Sequence, residues 1–220
     1  MVPYGIVLRN IYLSHRFRML FFGLLLSLIA SPIVEPLGFE TSVVEALLGI
    51  NLIAAVLALE PGRVRRVALA LLAVALVTRP AAAWMDENAV SVGSLTVWGV
   101  VALGAAASAI RFSLSGKSVG GEQIYAALSA YLLTGLFFGV LYWVLEQLMP
   151  NSISVGTAAV DDLRVTTTIY FSFVTLASLG YGDILPVSDP ARGLATAEVI
   201  GGQLYLAVMV ARLVSSWRQK

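Results

Sequence analysis

Residues 178–183 read Ser-Leu-Gly-Tyr-Gly-Asp and stand between two strongly apolar stretches. Hydroxyls, glycines and a carboxylate in such a neighbourhood raise a chemical question. Irregular backbone at membrane depth persists only where protein surrounds it or where it lines a watery path. The six residues are therefore either the lining of a pore or a turn outside the membrane. A ring of backbone carbonyls can replace the water shell of a cation. Gly180 and Gly182 admit backbone angles closed to other residues, so successive carbonyls can be turned to one side. The Ser178 hydroxyl adds one more oxygen at the inner end. A phosphate loop is the rival chemistry for such glycines, but it needs a lysine and opens a helix; neither holds here.

Few other residues offer chemistry. The chain has no cysteine and a single histidine, so thiol chemistry and disulfides are excluded. His15 lies among Arg16 and Arg18, as a solvated flank would, and no metal cluster is evident. Glu198 falls inside an apolar run. An acid at that depth is either functional or a structural partner to the back of a neighbouring helix. Gln203 could face a cavity or an adjoining helix. Trp84, Tyr142, Trp143 and Trp217 fall near the ends of apolar runs, where aromatic belts explain them.

The elements that must position these residues follow from composition. Of 220 residues, 59% are hydrophobic and 12% charged, about half the charged share of a soluble domain. The net charge of +1 gives no sign of a nucleic-acid partner. The chain reads as an all-α integral membrane protein. Six apolar runs are candidate transmembrane helices: Met19–Val34, Thr41–Leu59, Val67–Trp84, Val92–Phe112, Ile124–Met149 and Gly193–Ser215. The first reads as a retained helix rather than a signal peptide, since "LIAS" is a poor cleavage site. Between the fifth and sixth lies Val165–Ala177, 13 residues, too short to span and so a candidate re-entrant helix. Asp161 or Asp162 can cap its start. Its C-terminal end would then point into the membrane with a partial negative charge that favours a cation.

Glycines in "SGKSVGG" suggest a hinge between two units: residues 1–114 as a four-helix unit, 115–121 as linker and 122–220 as a pore domain. Basic residues set orientation. With the N-terminus inside, 11 of the 14 Lys and Arg residues fall on the inner side, which places both termini in the cytoplasm. The fourth helix carries only Arg111, at its inner end. A voltage sensor needs several such charges in one helix. Residues 122–220 end just past the sixth run, and no soluble ligand-binding domain is expected in this chain.

"TLASLGYGD", Thr175–Asp183, resembles the potassium-channel signature T-x-x-T-V-G-Y-G-D. The resemblance covers residues 122–215, with helix, re-entrant helix, filter and inner helix in the family's order. It implies a selectivity filter of Ser178, Leu179, Gly180, Tyr181 and Gly182, with potassium bound at Ser178, Leu179, Gly180 and Tyr181. It implies an outer mouth at Asp183 and Leu185, the Tyr181 ring packed behind the filter, and an inner-helix hinge at Gly201 and Gly202. Glu198 and Gln203 would be pore-associated. Ser178 replaces the family's threonine and Leu179 its valine. Tyr170 and Phe171 stand where many members have a tryptophan pair, and Val174 where some carry a glutamate. These departures bear on filter stability more than on selectivity. One chain supplies one filter strand, so the family's arrangement implies a cyclic homotetramer.

The expected protein is a multi-pass subunit of a plasma-membrane potassium channel, in contact with the lipid bilayer. It conducts passively, is not steeply voltage-gated, has no enzymatic activity, and uses no cofactor beyond potassium as the permeant ion. The alternatives are a secondary transporter, against which the absence of an internal repeat argues, and a non-conducting membrane sensor with a pore-like fold.

Overall fold

The computed structural model describes residues 4–34, 41–59, 62–85, 88–115, 119–156 and 163–217. In chain order the elements are α1 Tyr4–Val34, α2 Thr41–Leu57, α3 Arg63–Met85, α4 Asn88–Leu114, α5 Gly121–Leu148, β1 Ile153–Val155, α6 Val165–Leu176, β2 Ile184–Pro186 and α7 Asp189–Trp217. Among the described residues three helices are long and apolar enough to cross a membrane: Val92–Leu114, Gly121–Leu148 and Asp189–Ser216. Ala46–Leu57 and Val165–Leu176 are shorter apolar helices. The chain is a mostly helical membrane protein.

Helix α1 begins 15 residues before the apolar run that announces it. Hydropathy registers only the apolar part of a helix, whereas backbone hydrogen bonding continues through the basic segment. Helix α7 starts at Asp189 rather than Gly193 because Ser188 caps it, its hydroxyl accepting from Ala191 N–H at 3.3 Å. Pro190 is tolerated there, since first-turn N–H groups have no helical partner.

Two compact units account for the packing: Met1–Ala70 with Gly104–Leu132, and Leu71–Leu103 with Leu133–Lys220. In the first, α1 and α2 are joined by Asn51, whose amide donates to Ser27 Oγ. A Cβ on Gly23 would stand 2.6 Å from Asn51 Oδ1, so the glycine makes room for that amide. Phe17 of α1 is tied to the start of α5. Its N–H donates to the Glu122 carboxylate at 3.1 Å, and its carbonyl accepts from the Ser129 hydroxyl at 3.3 Å. Its ring stacks on Phe112 at 4.7 Å, with the Arg16 guanidinium over both rings. Cation–π contacts of this kind add about 0.5–1 kcal/mol at exposed sites and more when desolvated.

The second unit holds residues 178–183. Its core is the buried cluster Tyr142, Ile153, Leu163, Phe171 and Ile184, with Phe138, Val155 and Leu194 packed against it. Strands β1 and β2 pair antiparallel, Ile153 with Pro186, Ser154 with Leu185 and Val155 with Ile184. The segment after α5 thereby grips the segment after residues 178–183. Helix α6 lies close to both neighbours because glycines remove side chains from the contact. A Cβ on Gly139 of α5 would stand 2.7 Å from Ile169 Cα, and one on Gly135 would stand 2.7 Å from the Phe173 ring. These two glycines are four residues apart, the small-residue spacing that lets helices in membranes approach closely.

Candidate ion-conduction site

Helix α6 ends in a way that launches the 178–183 segment. Ser178 N–H donates to Thr175 C=O and Leu179 N–H to Val174 C=O, each at 2.9 Å. This is a Schellman closure, in which the residue after the C-cap turns left-handed. Glycine is the usual choice there; here it is Ser178, at φ 58°. A left-handed L-residue costs roughly 1–2 kcal/mol, offset in part by the two carbonyls the closure satisfies. The next positive values are Gly180 at 60° and Gly182 at 80°. Leu179 and Tyr181 between them do not take positive φ, so left-handed residues occupy every second position from 178 to 182.

The far end of the segment is held by three contacts. Asp183 C=O accepts from Gly156 N–H at 2.9 Å, just beyond β1. The Tyr170 phenol donates to Asp183 Oδ2 at 2.8 Å. Ile184 then enters β2 and the core cluster. The Asp183 carboxylate raises the Tyr170 phenol above its ordinary value, chiefly through this hydrogen bond. Proton loss would break the bond and set two anions side by side, so the contact holds throughout the neutral range. At the near end, Gln203 Nε2 of α7 donates to Ser178 Oγ at 2.8 Å. The structure thus brings together Ser178–Asp183, Gln203 and, through α6, Glu198. Leu185 lies exposed on β2, opposite Ser154. Leu179 and Tyr181 are 55% and 67% exposed in the single chain.

Gly201 and Gly202 lie within the unbroken helix α7 and differ sharply. A Cβ on Gly202 would stand 2.8 Å from the Leu176 carbonyl, whereas Gly201 faces open space. Glu198 is completely buried. It accepts from the Tyr142 phenol at 2.7 Å and touches the Ser172 hydroxyl. Tyr142 is therefore no belt residue: it is 0% exposed and spends its hydroxyl on α7. Position along a helix places an aromatic near an interface, but which face it occupies depends on neighbours that the sequence does not name. The side chains of Trp84 and Trp217 lie outside those described.

The N-cap position of α6 is Arg164, whose side chain makes no capping bond. The expected caps Asp161 and Asp162 lie outside the described residues. Sequence reasoning also missed Ser172, Gly135, Gly139 and Gly156. Of these only the Gly135–Gly139 spacing carries a readable signal. No group of metal-ligating side chains occurs among the described residues.

The sequence pattern of the family described as "Ion channel" matches residues 127–219. Protein LctB of Bacillus caldotenax is 32% identical over 100 residues, which are 44% of this chain and 73% of that protein. The inward rectifier potassium channel Kirbac3.1 of Paramagnetospirillum magnetotacticum is 33% identical over 82 residues, 36% of this chain and 24% of the relative. Two pore potassium channel a of Oryza sativa subsp. japonica is 30% identical over 86 residues, 39% of this chain and 22% of the relative. The matches to these two channels span less than a quarter of their lengths. No solved structure matches the chain. The matched residues hold α6, the 178–183 segment and α7, whose geometry is described above, and on these grounds the chain belongs to the potassium channel family.

Proposed function

We propose that the chain is one subunit of a potassium-selective channel that conducts passively through a homotetrameric pore. The observation that carries this reading is the alternation of left-handed residues at Ser178, Gly180 and Gly182, directly after a helix of 12 residues. Such alternation sets successive carbonyls to one side, as cation coordination by backbone requires. Four copies around an axis close the ring. The exposure of Leu179 and Tyr181 supports this, because neighbouring copies can cover their side chains. Gln203 and the Ser178 hydroxyl mark the inner end, Asp183 and Leu185 the outer mouth. In this reading α1 to α5 and α7 span the plasma membrane, α6 is re-entrant, and both termini are cytoplasmic.

The test is ion flux from liposomes holding only the purified chain. Potassium flux that falls away when sodium replaces potassium is the expected result. Equal permeability to the two ions would overturn the proposal. The conductance should depend weakly on voltage, since α4 carries only Arg111, in its last turn. One charge moved across 100 mV contributes only about 2.3 kcal/mol.

External block gives an independent check of register. Leu185 follows the last glycine of the segment by three positions and projects from β2 exposed. An aliphatic ring of four offers no π-face to a quaternary ammonium ion. Leu185→Tyr supplies four, each contributing about 0.5–1 kcal/mol at an exposed site. External tetraethylammonium should block the unmodified channel weakly and the variant at least about tenfold more strongly. Unchanged block would mean that Leu185 does not line the mouth.

A further inference from the structure

Four groups meet in the second unit where α5, α6 and α7 converge. The two oxygens of Glu198 on α7 face two hydroxyls: Tyr142 of α5 at Oε2, 2.7 Å away, and Ser172 of α6 at Oε1. The Ser172 oxygen also lies 2.7 Å from the carbonyl of Gly135 on α5. We propose that Glu198 is held as a neutral acid at neutral pH and that, in this form, it is the positioning residue that seats α6, and with it the 178–183 strand, between α5 and α7. The functional half of the proposal rests on the channel reading above.

A count of protons carries it. A carbonyl only accepts, so the Gly135 contact consumes the single proton of the Ser172 hydroxyl. The single proton of the Tyr142 phenol goes to Glu198 Oε2. The remaining contact, Ser172 Oγ with Glu198 Oε1, then holds a proton only if the carboxyl supplies it. An ionised Glu198 would either face Ser172 lone pair to lone pair or draw its proton away from Gly135. Tyr142 from α5 and Ser172 from α6 are the groups that act on the carboxyl, and neither is a cation. The charged pair of α7 nearest in sequence, Asp189 and Arg192, lies at the helix start. An unpaired charge in a fully buried site is far more costly than a hydrogen-bonded neutral acid.

The mechanical consequence follows from chain connectivity. Ser172 stands six residues before Ser178 on a helix whose Schellman end sets the strand. Deprotonation turns the Ser172 hydroxyl toward the carboxylate and releases Gly135. The seat of α6 is therefore complete at neutral pH and is lost as pH rises.

Infrared spectroscopy and flux test this together. The unmodified protein should show the carbonyl stretch of a protonated carboxylic acid at neutral pH; Glu198→Gln should lack that band. The amide of Glu198→Gln can donate to Ser172 and accept from Tyr142. It should therefore keep potassium flux and selectivity within about threefold of the unmodified channel, with the alkaline loss of selectivity abolished. Glu198→Leu, which leaves both hydroxyls unpaired, should lose selectivity at every pH. Absence of the acid band at neutral pH overturns the proposal, as does a folded Glu198→Gln protein that conducts no better than Glu198→Leu or retains the alkaline loss. If the unmodified protein conducts nothing, the channel reading fails, while the band still decides the protonation of Glu198.

Discussion

Replacing Gly180 with alanine should abolish potassium-selective flux while leaving the helices intact. Gly180 sits at φ 60° with open space where a Cβ would stand. The substitution therefore meets no clash in the chain, and its whole effect runs through the backbone. A left-handed alanine costs roughly 1–2 kcal/mol. In a ring of four the same strain is borne four times, about 4–8 kcal/mol in all. Peptide rotation in any one copy relieves it and swings a carbonyl out of the ring. Ser178 withstands the same conformation because two hydrogen bonds from the end of α6 enclose it. Selective flux should fall at least about a hundredfold, the equivalent of some 2.8 kcal/mol. Circular dichroism should be unchanged. Ser178→Gly is the useful contrast: it removes strain and a hydroxyl together, so it should fold at least as well and conduct with altered selectivity. If Gly180→Ala retained its preference for potassium over sodium, the alternation of φ would have no part in conduction.

The parts legible in the sequence are those that local chemistry alone decides. A 13-residue apolar run flanked by polar segments yields α6 at Val165–Leu176, and two glycines two residues apart announce positive φ. The longer apolar runs give α4, α5 and α7 within a few residues, because length and hydropathy suffice. Ser178 was legible as an oxygen donor but not as a left-handed C-terminal residue, since nothing in its type signals that conformation. Strands β1 and β2, three residues each, have no periodicity to read and exist only through each other. The contact of Glu198 with Tyr142 joins residues 56 apart. A buried acid in an apolar run says that a partner is needed, not which one. The spacing of Gly135 and Gly139 was readable as a close-approach face, yet its occupant, α6, emerges only in the folded chain.

The adjacent glycines of α7 separate packing from hinge motion in one experiment. A Cβ at position 202 would lie 2.8 Å from both the carbonyl oxygen and Cδ1 of Leu176. A side chain can swing aside, but the carbonyl is backbone at the last turn of α6 and cannot move without displacing Ser178. Gly202→Ala should therefore destabilise the protein by about 1–3 kcal/mol, the usual range for overpacking a close contact. It should also disturb selectivity, because the displaced residue adjoins the strand. At position 201 the added methyl meets nothing within 4 Å. Alanine there gains about 0.5–1 kcal/mol over glycine within a helix. Thermal melting in detergent should therefore move in opposite directions for the two variants. Flux divides the remaining readings. If Gly201→Ala conducts as the unmodified channel does, the glycine of this pair matters through its contact with Leu176. If it melts higher but opens less often, helix bending at 201 belongs to gating, and the pair combines a hinge with a packing surface. Equal destabilisation by both substitutions would show that α7 does not meet α6 at Gly202.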